Sequence, residues 1–109
     1  MRQAAITGWG KCAPDKVLSN DDLATLLDTN DEWITSRTGM KERRISPVPV
    51  SELSYIAAAR ALACAGVNAD DVDMIILGSC SFDSQVPNAA SRVQQLLQAN
   101  NAACMDLNT

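Results

Sequence analysis

Val72 to Leu77 reads VDMIIL, a β-branched, apolar run closed by Gly78. Such a run predicts a central strand of a parallel sheet, covered on both faces. Pro87 suits the first turn of a helix. That helix carries Ala90, Val93, Leu96 and Leu97 at helical spacing. Ala102 to Leu107 reads as a second buried strand. Parallel strands need a long crossover, so strand, helix and strand over 72–107 make one right-handed βαβ unit. The fold class is therefore α/β, with a parallel sheet and helical layers.

The residues before this unit divide in the same way. Ala4–Thr7 predicts a short strand closed by Gly8-Trp9-Gly10, and Ala13-Pro14-Asp15 is turn chemistry. Asn20, Asp21 and Asp22 supply caps for a helix whose Leu23, Leu26 and Leu27 share one face. Thr29 and Glu32 have capping-box spacing, in which each side chain satisfies a backbone donor at the other's position. The helix they open runs through Trp33, Ile34 and Arg37 to Gly39, a left-handed cap. Met40–Ser46 is a charged loop or edge strand, and Pro47 and Pro49 exclude regular helix locally. Ser51 is the expected cap of the longest helix, 52–65, which stops at Gly66. That helix is apolar nearly all round, which predicts burial or very close packing through its alanines.

Composition limits the function. A hydrophobic fraction of 47% with a small net charge excludes a disordered chain, and 109 residues support a single core. Nine basic against 13 acidic residues give a net charge of −4, which argues against a general nucleic-acid binder. No apolar run reaches the roughly 18 residues of a membrane span. The opening Met1–Ile6 is too short for a signal peptide, so a cytoplasmic protein is expected. There is no histidine, which removes histidine-based acid/base pairs and most zinc sites; no metal is expected. Cys12, Cys64, Cys80 and Cys104 lack C-x-x-C spacing and are read as reduced thiols, Cys64 and Cys104 as small core residues.

Three features carry candidate chemistry. Gly8-x-Gly10 after a strand is a weak nucleotide-loop signal, because the third glycine is missing and Pro14 interrupts any following helix. Cys80 follows the 72–77 strand at the edge where α/β sites form, yet no histidine exists to activate it. Thr29, Trp33 and Arg37, spaced i, i+4, i+8, would form one stripe on a helix. An indole and a guanidinium one turn apart suit an aromatic base beside a phosphate, through stacking and a charged fork. The spacing alone favours a capping threonine, a core tryptophan and a solvated cation over that stripe. Lys41, Arg43 and Arg44 add a local basic patch.

The stretch from Asp28 to Arg44, DTNDEWITSRTGMKERR, resembles the D-T-x-D-E-W-I-x-x-R-T-G-I-x-E-R segment of the ketoacyl-acyl-carrier-protein synthase III family, in the thiolase-like superfamily. Val72–Gly78 resembles that family's second core strand, and Val86-Pro87-Asn88-Ala89-Ala90 its F-P-S-A-A helix start. Ala103–Thr109 resembles the strand leading to its nucleophile. The resemblance runs the whole length of the chain. It implies a layered αβαβα fold, with residues 1–109 as the N-terminal portion of a condensing-enzyme domain that stops before the nucleophile.

The implied reaction is a decarboxylative Claisen condensation of an acyl-CoA primer with malonyl-acyl-carrier-protein. It uses a Cys-His-Asn triad expected beyond Thr109, and no cofactor besides the coenzyme A thioester substrate. Trp33 would stack on the adenine of coenzyme A, Arg37 would meet its phosphate part, and Thr29 would touch the adenine side. Val86 stands where the family often has a phenylalanine that enters the partner subunit's acyl pocket in a homodimer; valine there leaves room for a longer or branched chain. Arg43 and Arg44 are candidates for acyl-carrier-protein docking. Three alternatives remain open: a thiolase-like acyltransferase or ketone-forming enzyme of secondary metabolism, a non-catalytic acyl-CoA or carrier-protein binding module, and a flavodoxin-like nucleotide binder.

Overall fold

The computed structural model describes residues 1–108. They form two compact units, one of Ala13–Pro47 and one of Met1–Cys12 with the chain from Val48.

The smaller unit contains β1 (Lys16–Ser19), α1 (Asn20–Ala24), α2 (Asp31–Thr38) and β2 (Glu42–Ile45). β1 and β2 pair antiparallel, with Lys16 opposite Ile45 and Ser19 opposite Glu42. The charged segment after Met40 is thus an edge strand. Its partner β1 has no counterpart in the sequence reading, because four residues are too few for alternation to register.

Helix α1 starts one residue earlier than expected. Ser19 Oγ accepts the Asp22 N–H at 3.0 Å while the Asp22 carboxylate accepts the Ser19 N–H at 3.0 Å, a reciprocal box. Helix α2 is capped by Asn30 rather than by Thr29, so the expected Thr29–Glu32 box does not form. Asn30 has the extended backbone of a cap, and its side chain accepts the Trp33 N–H at 2.8 Å. Thr29 lies in the preceding turn, donating its N–H to the Leu27 carbonyl at 2.9 Å. Gly39 closes α2 at φ 73°, as its chemistry demands.

The larger unit is built on α3 (Val50–Ala65), β3 (Met74–Gly78), α4 (Ala89–Leu97) and β4 (Ala103–Leu107). β3 and β4 are parallel, with Met74 beside Ala103 and Gly78 beside Leu107, and α4 crosses between them. Leu77, Ala89, Ala90 and Val93 form the core, with Ala58, Ile75, Phe82, Leu97 and Cys104 packed on it. The expectation of strands covered on both faces is corrected. Successive side chains alternate, and Met74, Ile76, Met105 and Leu107 are all exposed on the face away from this core.

Both helix starts differ from the sequence reading. α3 begins at Val50 after Pro49, which has no side-chain acceptor, so Ser51 is a buried residue of the first turn and not the cap. The Asp83 carboxylate accepts the Val50 and Ser51 N–H groups at 2.8 and 3.1 Å instead. α4 begins at Ala89 with Asn88 as cap, leaving Pro87 outside the helix. Asp106 on β4 accepts the Ala89 and Ala90 N–H groups, both at 2.8 Å. Carboxylates at helix N-termini also meet the positive end of the dipole.

No strand forms over Ala4–Thr7; the chain has no regular element before Lys16. Where this segment passes α3, a Cβ on Gly8 would lie 2.5 Å from the Ala61 carbonyl oxygen and 2.7 Å from the Ala65 Cβ. One on Gly10 would meet the Ala57 carbonyl oxygen, and the Ala61 nitrogen at 2.6 Å. The Gly-x-Gly signal therefore records close approach of backbone to an alanine-rich helix, not a phosphate loop.

Helix α3 is only half covered. Arg60, Ala63 and Cys64 are exposed, which corrects the reading of Cys64 as a core residue. Cys104 is partly buried against the core, and all four cysteines are free.

Candidate functional site

The smaller unit carries a cleft of about 360 Å³ lined by Leu23, Leu27, Asp28, Thr29, Asn30, Trp33 and Ile34. Helical geometry explains its make-up. α2 turns Ile34 inward, to 7% exposure, and so presents its neighbour Trp33 outward, at 55%. A core tryptophan is thereby excluded; the indole is displayed. Thr29 belongs to the turn before α2 and lines the same cleft. Its Oγ1 is buried with no hydrogen-bond partner. A buried hydroxyl left unpaired carries a desolvation cost that a ligand polar group would relieve. The Arg37 guanidinium carbon sits 5.2 Å from the centroid of the Trp33 ring, within cation–π range.

Leu23 and Leu27 supply the apolar wall. Their i, i+4 spacing marked a helix face in the sequence, which the structure corrects: α1 ends at Ala24 with Thr25 as its C-cap, so Leu26 and Leu27 follow the helix, and Leu27 reaches the cleft from the segment beyond it.

The cleft rests on a polar hub. Asn20 is 2% exposed. Its Nδ2 donates to the Asp31 carboxylate at 2.7 Å and to the Met40 carbonyl at 2.8 Å, and its Oδ1 accepts from Arg43 at 2.7 Å. Thr35 and Lys41 also donate to Asp31, at 3.1 and 3.2 Å. The Asn20 amide first, then Lys41 and Thr35, hold the Asp31 carboxyl below the usual carboxylate range. The Ser19 backbone N–H, then its hydroxyl, do the same for Asp22. A depressed carboxyl stabilises the fold above its unfolded pKa, and that contribution fades as pH falls through its folded pKa. Asp31→Asn is therefore expected to lower urea stability at about pH 7, with the difference from the parent chain shrinking by about pH 3. Urea melts of both chains at the two pH values check this.

The basic patch is consumed locally. Lys41 pairs with Asp31 at 3.2 Å, Arg43 also reaches the Leu18 carbonyl, and Arg44 meets the Pro14 carbonyl at 3.0 Å and Glu42 at 3.7 Å. In the other unit, Val86 is 89% exposed in the loop before α4, and Cys80 is exposed at the end of β3. Among the described residues no three His, Cys, Asp or Glu side chains cluster as a metal site, and no helix is long and apolar enough to cross a membrane.

A parallel βαβ unit, with a helical insertion that displays a tryptophan beside an apolar cleft, defines the class: a mixed α/β chain of thiolase-like fold. Its match to 3-oxoacyl-(acyl-carrier-protein) synthase III of Aquifex aeolicus has a TM-score of 0.85 at 38% identity, covering 95% of this chain and 34% of that one. The priming beta-ketosynthase of the R1128 polyketide pathway matches with a TM-score of 0.84 at 30% identity, over 95% of this chain and 32% of that one. By sequence the chain is similar to enzymes named beta-ketoacyl-(acyl-carrier-protein) synthase III. It is 59% identical over 105 residues to beta-ketoacyl-(acyl-carrier-protein) synthase III 2 of Vibrio cholerae serotype O1, covering 96% of this chain and 29% of the relative. It is 44% identical over 109 residues to the synthase III of Clostridium acetobutylicum, covering 99% of this chain and 34% of the relative. The chain thus spans about a third of the length of the curated relatives it matches. No family model matches it.

Proposed function

We propose that this chain supplies the coenzyme A entrance of a 3-oxoacyl-acyl-carrier-protein synthase III. That enzyme condenses an acyl-CoA primer with malonyl-acyl-carrier-protein, with loss of carbon dioxide, in fatty acid biosynthesis. The observation that carries the reading is the displayed Trp33, walled by Leu23 and Leu27 and flanked by Thr29 and Arg37, within a sequence so close to named synthases. Adenine stacks on the indole, the Thr29 hydroxyl gains a partner, and apolar walls exclude water around the ring. In this reading residues 1–109 are the N-terminal portion of the domain, and the Cys-His-Asn set lies on residues beyond Thr109. Val86 projects into the acyl pocket of a partner subunit in a cytoplasmic homodimer, and acyl carrier protein delivers the malonyl group. No cofactor is needed beyond the thioester substrate itself.

A second reading, priming condensation in a secondary pathway, is favoured by the likeness to the polyketide priming ketosynthase. It shares the coenzyme A entrance and differs in the acceptor.

The test is titration calorimetry of coenzyme A against the chain. Trp33→Ala is expected to weaken binding by about 1–3 kcal/mol, the worth of one base–aromatic stack, or roughly five- to 150-fold in Kd. An unchanged Kd would remove Trp33 from the site. The chain, having no histidine, is expected to release no carbon dioxide from malonyl thioesters.

A further inference from the structure

We propose that Arg37 acts through Trp33, as a positioning residue that fixes the indole, rather than by meeting a ligand phosphate. The inference rests on the reading of the cleft as an adenine site and assigns Arg37 a different role within it. Arg37 lies one helical turn beyond Trp33, and its guanidinium carbon is 5.2 Å from the ring centroid. It does not line the cleft, whereas Trp33 does. It takes part in neither ion pair found among the described residues, which join Lys41 to Asp31 and Arg44 to Glu42. The indole is therefore its partner. An aromatic ring has two faces, and a cation over one leaves the other for a stacking base. An indole 55% exposed has little packing to hold its rotamer. A planar, permanently charged group set over the ring supplies that hold before any ligand arrives. Position helps, since a cation in the last turn of α2 also faces the negative end of the helix.

The two roles predict different ligand dependence. A phosphate contact matters only to phosphorylated ligands. A positioning contact matters to every ligand that stacks, phosphate or not.

The experiment uses the full chain carrying Trp9→Phe, which leaves Trp33 as its only tryptophan, since the sequence has two. Adenosine and adenosine bisphosphate are titrated by Trp33 fluorescence against this chain and its Arg37→Met and Arg37→Lys derivatives. Arg37→Met is expected to raise both Kd values by the same factor, about two- to five-fold for one exposed cation–π contact. Arg37→Lys is expected to recover part of the loss for both. Fluorescence anisotropy of ligand-free Trp33 is expected to fall in Arg37→Met. Weakening confined to the bisphosphate, or anisotropy unchanged by Arg37→Met, overturns the proposal. Failure of both ligands to bind the Arg37 chain overturns the adenine-site reading instead, and the ligand-free anisotropy still decides the role of Arg37.

Discussion

Asp106→Ala is expected to cost about 3–4 kcal/mol in the free energy of unfolding, because two buried backbone donors lose their acceptor at once. Ala89 and Ala90 are 2% and 0% exposed, and their N–H groups both point at this carboxylate at 2.8 Å. They are orphan donors of the first turn of α4, which no intrahelical carbonyl can reach. Asn88 cannot replace Asp106, since its side chain is already engaged by the N–H and hydroxyl of Ser91. Water has poor access at such low exposure, so the desolvation cost is carried in full. Asp106→Asn keeps one acceptor oxygen and loses the charge that complements the helix dipole, and is expected to cost about half as much. Urea denaturation gives the loss. Hydrogen exchange at Ala89 and Ala90 locates it, with faster exchange there than at amides in the middle of α4. A loss within about 0.5 kcal/mol, the range of an ordinary surface substitution, would mean the carboxylate is not the cap.

That cap shows where sequence reading ends. The strand within Val72–Gly78, the helix face of α4, and the left-handed stops at Gly39 and Gly66 were legible because each is a local consequence of side-chain branching, spacing or positive φ. The carboxylates that meet the first N–H groups of α3 and α4 were not, because they come from Asp83 and Asp106, far along the chain from the helices they close. Ser51 and Pro87 drew the sequence reading only because they are favourable at a helix start in isolation. The Gly8-x-Gly10 pair was visible as a constraint, but its cause, the backbone of α3, was not. At the candidate site the types and spacing of Trp33 and Arg37 were legible. That the indole is displayed depends on Ile34 turning inward and on Leu23 of α1 and Leu27 beyond it, which is tertiary information. The partners of the basic patch were not legible for the same reason: they are Asp31, Glu42 and backbone carbonyls.

Asn20→Leu is expected to destabilise the smaller unit by about 3 kcal/mol or more, and with it the cleft. Asn20 is the sole residue there that donates and accepts towards both charged partners: Asp31 receives its amide, Arg43 donates to its carbonyl, and the Met40 carbonyl takes its second proton. Leucine matches the size roughly but satisfies none of the three, and hydrogen bonds to charged groups are worth about 1.5–3 kcal/mol each. Asn20→Asp separates the two halves of the hub. An ionised aspartate suits Arg43 but cannot donate to Met40, and its charge faces the Asp31 carboxylate across a gap now closed by a 2.7 Å hydrogen bond. It is expected to be strongly destabilising at about pH 7 and less so near pH 4, where one of the two carboxyls holds a proton and can bridge to the other. That pH trend runs in the same direction as the one expected for Asp31→Asn measured against the parent chain, since both penalties shrink as pH falls. Hydrogen exchange at the α2 amides Ile34 and Gly39, which bond Asn30 and Thr35 carbonyls in the native helix, reads the local loss in both variants. Coenzyme A titration then follows it into the site, because the hub fixes the helix that presents Trp33. If Asn20→Leu left α2 exchange and ligand affinity as in the parent chain, the leucines and Ile34 alone would hold the cleft, and the polar hub would have no part in shaping it.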